Sequence, residues 1–168
     1  ITVHAINQDG STFEKVIKVN VDVMAYPVDE LYEILTANST KTWTFTKYGV
    51  TWGDPTSEDD FSMYAAEDVK SWAQALEIGN EYIGSTITFG LKGTTMTLRD
   101  MGGKETAGTF SFARVADGET VSPSCSVAKF MTVGTFIPFA NPWWGPAKCF
   151  SSLMLFHASK DKLIFTFN

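Results

Sequence analysis

A chain of 168 residues, 44% of them hydrophobic, is long enough to bury one substantial core, which excludes a disordered polypeptide. Its formal charge of −6, from 13 basic and 19 acidic residues with no Lys/Arg cluster, would repel a phosphate backbone and excludes nucleic acid as a partner. The 14% aromatic content, with thirteen Phe and five Trp, exceeds what packing alone asks of a domain this size, so some rings are expected to face a ligand.

No apolar run approaches the roughly 20 residues of a membrane span, and the amino terminus lacks the basic, apolar and small-residue order of a signal peptide. Residues 1–7 (ITVHAIN) and 13–23 (FEKVIKVNVDV) alternate with period two around the turn residues Gln8-Asp9-Gly10-Ser11, which predicts a β-hairpin. A hairpin alone is marginal in water, so these strands need a partner, and Val19, Val21 and Val23 are expected to pack away from the later core. The stretch ITVHAINQDGSTFEKVIKVNVDV resembles the closing strands of immunoglobulin-like and polycystic-kidney-disease-type (PKD) modules, which implies that residues 1–24 end an upstream module.

Residues 27–37 (PVDELYEILTA) carry Pro at a first helical position, acids in the first turn, and Val28, Leu31 and Leu35 on one face. They predict a linker helix within 25–38, which the polar turn Asn38-Ser39-Thr40 ends; that triplet is formally also a glycosylation sequon. Trp43 and Phe45 alternate with Thr in a strand, and GVTWGDPTSEDDF follows as a long polar loop carrying Trp52. Val69, Trp72, Ala73 and Leu76 fall on one stripe of a second short helix at 65–77, where Trp72 reads as a core anchor.

From Ser85 onward the chain is a run of short strands: STITFGL, TTMTLRD, GTFSFARV, SVAKFMTV, SSLMLFHA and KLIFTFN. Ile87, Phe89 and Leu91 share a face, as do Met96 and Leu98, Phe110 and Phe112, and Leu163, Phe165 and Phe167, so most phenylalanines serve packing. The fold class is therefore mainly β: residues 39–168 are expected to form an antiparallel β-sandwich or open barrel, the two short helices of the chain lying at about 27–37 and 65–77, preceded by the hairpin of an Ig-like module.

Chemistry is sparse. There is no G-x-S-x-G and no H-E-x-x-H, and the two histidines, His4 and His157, both lie in expected strands and read as structural, so no catalytic residue is assigned. A glycosidase carboxylate pair is recognised by separation in space, which a sequence does not give. Asp54, Glu58, Asp59 and Asp60 crowd one loop without the order of a calcium loop and read as a solvated acidic segment; no metal or other cofactor is expected. Gly93 and Gly102-Gly103 belong to hairpin turns rather than a phosphate cradle. Cys125 and Cys149 lack metal-site spacing and are either one disulfide, worth about 3 kcal/mol, or two small buried residues.

Aromatic residues in loops remain: Tyr48 and Trp52 in the first, and Phe139, Trp143 and Trp144 in IPFANPWWGP, where Pro142 and Pro146 are expected to hold the segment out of strand pairing. An exposed indole suits the C–H face of a pyranose, with Asp54 and Asn141 as hydroxyl partners; the alternative is that Trp143 and Trp144 plug the end of the core.

The ordered motifs TKTW, WGDP, GSTITFGLKG, GKETAGTFSF and KDKLIF, after the hairpin, resemble surface lipoproteins of gut Bacteroidetes, in which an Ig/PKD-like module precedes a β-rich, glycan-associated module. The resemblance implies an exported protein at the outer-membrane surface or in the periplasm, a Cys125–Cys149 disulfide, and polysaccharide utilisation alongside other outer-membrane glycan-uptake proteins. The expected function is non-catalytic binding of an oligo- or polysaccharide through Trp52, Asp54, Asn141, Trp143 and Trp144. The alternatives are a structural or adhesion module without its own glycan site, and a glycoside hydrolase.

Overall fold

The computed structural model describes residues 2–6, 11–16, 18, 28–50, 53–65, 82, 84–141, 145–149 and 153–167. Strands β1 (Thr2–Ile6) and β2 (Thr12–Val16) form the expected antiparallel hairpin, in register from Thr2 opposite Val16 to Ile6 opposite Thr12. Val19, Val21 and Val23 lie outside the described residues, as does the 66–77 stretch of the expected second helix.

Helix α1 (Glu30–Thr36) begins later than the Pro27 reading predicts. Asp29 sets the boundary: its Oδ1 accepts the Leu31 N–H at 2.8 Å, satisfying an amide that has no helical partner. Val28 consequently stays outside the helix, 41% exposed, whereas Leu31 and Leu35 are buried. Ala37 closes the helix in the left-handed region, its N–H returning to the Glu33 carbonyl.

The chain then forms β3 (Thr40–Thr44), β4 (Lys47–Val50), β5 (Ser62–Ala65), β6 (Thr86–Gly90), β7 (Thr95–Arg99), β8 (Glu105–Arg114), β9 (Ala128–Val133), β10 (Ile137–Asn141), β11 (Gly145–Cys149), β12 (Leu153–Ala158) and β13 (Leu163–Phe167). Seven of them make one antiparallel sheet in the order β13-β12-β9-β8-β7-β6-β3, curled into a half-barrel, so the expected mainly-β, open-barrel architecture is the observed one. Each of the six strands read from Ser85 onward takes its place in that sheet. Strands β6 to β9 run as a meander whose turns use Gly93 and Gly103 at φ of +72° and +83°, as hairpin chemistry requires.

Period-two alternation decides which side faces in. Ile87, Phe89, Met96, Leu98, Phe110, Phe130 and Leu153 form one cluster with Leu35 of α1, and Leu31 packs with Ala128 and Leu155. Phe110 stacks on Phe130 at 5.7 Å and 6°, while Phe89 and Phe165 meet this pair edge-on. The helix read as a linker thus supplies core residues to the sheet. Trp43 is tied into the same layer, its Nε1–H donating to the Leu35 carbonyl at 3.1 Å. At the crossing of β8 and β9, a Cβ on Gly108 would lie 2.0 Å from the Val133 carbonyl oxygen, so only glycine lets the two backbones approach there.

Two hairpins are inserted between neighbouring sheet strands: β4–β5 between β3 and β6, and β10–β11 between β9 and β12. The second corrects the reading that prolines keep IPFANPWWGP out of strand pairing, since Pro138 sits opposite Lys148 and Pro146 opposite Ala140. In a two-stranded ribbon each strand is an edge, so a proline without an N–H fits at positions whose amide faces away from the partner.

Candidate functional site

The chain returning from the first insertion into β6 meets the chain entering the second. Tyr82, just ahead of β6, meets Phe136, just ahead of β10, edge-to-face at 5.8 Å and 89°. The nearby depression, lined by Tyr82, Leu98, Asp100, Lys104, Thr106 and Phe136, has room for water rather than a sugar ring.

Among the expected ligand-binding residues, Trp52, Trp143 and Trp144 lie outside the described residues. Asn141 ends β10 with Gly145 as its register partner, and its side chain is outside them as well. The hairpin therefore closes through three residues only, Pro142-Trp143-Trp144. Tyr48 and Phe139 belong to β4 and β10, opposite Tyr64 and Ala147.

Asp54 is exposed, but its carboxylate is engaged: Oδ1 accepts the Ser124 N–H at 2.8 Å. Hydrogen bonds from the Ser124 hydroxyl and N–H hold its carboxyl below the ordinary aspartate range. This contact brings together segments 70 positions apart. Cys125, the next residue, carries a free and exposed thiol, so the bridge to Cys149 at the end of β11 is not formed in this structure. Cys125 itself sits in a solvent-facing turn rather than in the core.

The rest of the acidic loop is structural in a way that sequence reasoning missed. Asp60 accepts the N–H groups of Thr56 and Ser57 at 2.7 and 2.9 Å and the Thr56 hydroxyl at 3.1 Å, which curls the loop and lowers the Asp60 pKa. Phe61 packs edge-on against Phe156 at 5.1 Å. Glu58 pairs with Lys162 and, at 2.9 Å, with His157 Nδ1; the Lys162 contact, helped by His157, pulls the Glu58 pKa down against the desolvation that raises it.

A bulge between Leu155 and His157 makes this possible, because it places Phe156 and His157 on the face away from α1 while Leu155 and Ala158 stay inside. The loop following edge strand β3 and β4 thus grips the other edge of the half-barrel at β12–β13. Lys41 of β3 crosses the same seam, its Nζ donating to the Lys160 carbonyl at 2.5 Å while lying 3.9 Å over the Trp43 ring.

The chemistry available here is modest. Glu58 orients His157 as an acid would orient a catalytic base, yet among the described residues no hydroxyl or thiol is hydrogen-bonded to that imidazole. Among the described residues, too, no group of three His, Cys, Asp or Glu side chains could hold a metal ion, and no helix is long and apolar enough to cross a membrane. No known protein family, curated protein or solved structure matches the chain.

Proposed function

We propose that the chain is a non-catalytic glycan-binding module whose principal contact is the aromatic link of the β10–β11 hairpin. The observation that carries this reading is the pairing of Asn141 with Gly145, which leaves Pro142, Trp143 and Trp144 as the whole connection of a ribbon inserted between two sheet strands. Trp143 and Trp144 fall in that link by sequence, and an indole turned to solvent would be a stacking surface for the C–H face of a sugar. The resemblance to surface lipoproteins of glycan-uptake systems supports the same reading and, with it, an exported location at the outer-membrane surface or in the periplasm.

Trp52 would be the second aromatic contact. Asp54 contributes one free carboxylate edge at most, since Ser124 already occupies the other. That engagement favours, for the acidic loop alone, the second reading of a structural strap.

The test is to measure melting temperature and glycan affinity on Trp143→Ala and Trp144→Ala. A stacking indole costs little stability and much affinity on truncation, whereas a buried one costs about 3–5 kcal/mol. Variants that unfold, or a wild-type chain that retains nothing on a broad glycan array, would replace the glycan reading with a structural or adhesion role.

A further inference from the structure

The face of the sheet turned away from α1 carries an ordered set of threonines. Register places Thr42, Thr88 and Thr97 side by side on β3, β6 and β7, with Ala107 of β8 next in the row. The adjacent row runs Thr40, Gly90, Thr95, Thr109 and Val133, and the row on the other side begins Thr44, Thr86. Thr40, Thr42, Thr44, Thr95 and Thr109 are exposed, and Thr86, Thr88 and Thr97 are half-buried. The first two rows hold no charged residue; Arg99 and Glu105 enter only at the end of the third.

From this array we infer a binding face for an extended, uncharged polysaccharide, one that rests on the glycan-binding reading and adds a second contact surface to it. Three physical features select this occupant. Neighbouring strands lie about 4.8 Å apart, close to the length of one sugar ring, so a chain laid across the strands meets one side chain per residue. Each threonine offers a hydroxyl that both donates and accepts beside a methyl group, which complements the hydroxyls and C–H groups of a pyranose. The hydroxyls are also partly fixed beforehand: β-branching restricts the side chain, and Thr42 Oγ1 lies 2.9 Å from Thr88 Oγ1 in a hydrogen bond.

Charge narrows the class further. A chain of net charge −6 with a neutral face offers a uronate or sulfated polymer no cation to pair with in these rows and a repulsive field around them. A neutral polymer meets no such penalty, and its binding there is insensitive to salt.

The experiment compares the wild type with the triple variant Thr42→Val, Thr88→Val, Thr97→Val, which keeps side-chain shape and strand preference while removing the hydroxyl row. Affinity electrophoresis in xylan, galactomannan, soluble β-glucan and polygalacturonate is read beside thermal melting. The expected result is retention on at least one neutral polymer, weakened about fivefold or more in the triple variant, with no retention on polygalacturonate. Ala107→Glu, which puts a carboxylate at an exposed site in the same row, gives the same loss independently if the triple variant folds poorly.

Undiminished retention in both variants, or stronger binding to polygalacturonate than to the neutral polymers, overturns the inference. If Trp143→Ala and Trp144→Ala lose binding while the threonine variants keep it, the face falls and the aromatic reading stands. The reverse pattern removes the aromatic reading and leaves the face. A wild type that binds none of the polymers removes both.

Discussion

Arg114, the last residue of β8, holds both carboxylate oxygens of Asp29, the residue that caps α1: Nε lies 3.1 and 2.9 Å from the two oxygens and Nη2 2.7 Å from Oδ1. One carboxylate therefore starts the helix and docks it to the sheet, joining positions 85 apart. Asp29→Ala removes both functions and is expected to cost about 1–2 kcal/mol, mostly from the cap. Arg114→Ala removes only a largely exposed pair and should cost under about 1 kcal/mol. Urea unfolding of the two variants measures the difference, and equal losses would mean that the cap contributes nothing.

The same pair makes a pH prediction. The Arg114 hydrogen bond, opposed by desolvation and helped by the Leu31 N–H, sets the Asp29 pKa below its ordinary 3.8. A carboxylate lowered on folding contributes stability that is present above its unfolded pKa and lost as pH falls through the folded one. Acid titration of wild type and Arg114→Ala should therefore converge below that range and separate above it. Curves that stay parallel throughout would show that the pair is not linked to protonation.

The strap over β12–β13 should loosen locally rather than unfold the chain. Glu58→Gln removes the charge that meets Lys162 and His157, two partners that are each about a third to a half exposed, so global stability should fall by less than about 1 kcal/mol. Amide exchange across 53–61 should rise instead. Since the Glu58 pKa is also lowered, wild-type protection of this loop should decline in acid more than the variant's, in which only the Asp54 and Asp60 carboxylates still respond. Unchanged exchange at neutral pH would remove the strap as a feature in solution.

Gly108→Ala is expected to be among the most damaging single-methyl additions. The new Cβ would meet the Val133 carbonyl at 2.0 Å and the Thr135 nitrogen at 2.7 Å, both backbone atoms that cannot rotate aside. A loss of roughly 1–3 kcal/mol follows from forced overpacking. Thermal melting close to wild type would show that β8 and β9 separate at little cost.

Phe130→Ala should cost about 3–5 kcal/mol, because the ring is 2% exposed and touches Phe89, Phe110 and Phe165. Met131 on the same strand is 50% exposed, and Met131→Ala should change stability by about 0.5 kcal/mol or less. The contrast between adjacent residues tests the inward face of β9 directly.

By itself the sequence determined the local elements whose information is periodic. Alternation named the strands along 85–91, 94–100, 108–115, 126–133, 151–158 and 162–168, and in the first three and the last it also named residues sharing a face, because a side chain's face in a regular strand follows from position. Turn residues at Gly93 and Gly103 likewise announced the meander. The docking of α1 through Asp29, the proline-bearing β10–β11 ribbon and the work done by the acidic loop were decided only by tertiary structure. Arg114 reaches the capping carboxylate of Asp29 from 85 positions away, and Pro138 and Pro146 pair because a two-stranded ribbon leaves amide positions unused. Glu58 and Asp54 read as solvated charges until folding brought His157, Lys162 and Ser124 beside them from 70 to 104 positions away. The threonine rows follow the same logic: each T-x-T is visible along its own strand, but only strand order and register set Thr42, Thr88 and Thr97 shoulder to shoulder. Contacts between distant segments depend on which strands pair, and pairing is set by burial of the whole core, which no local pattern encodes.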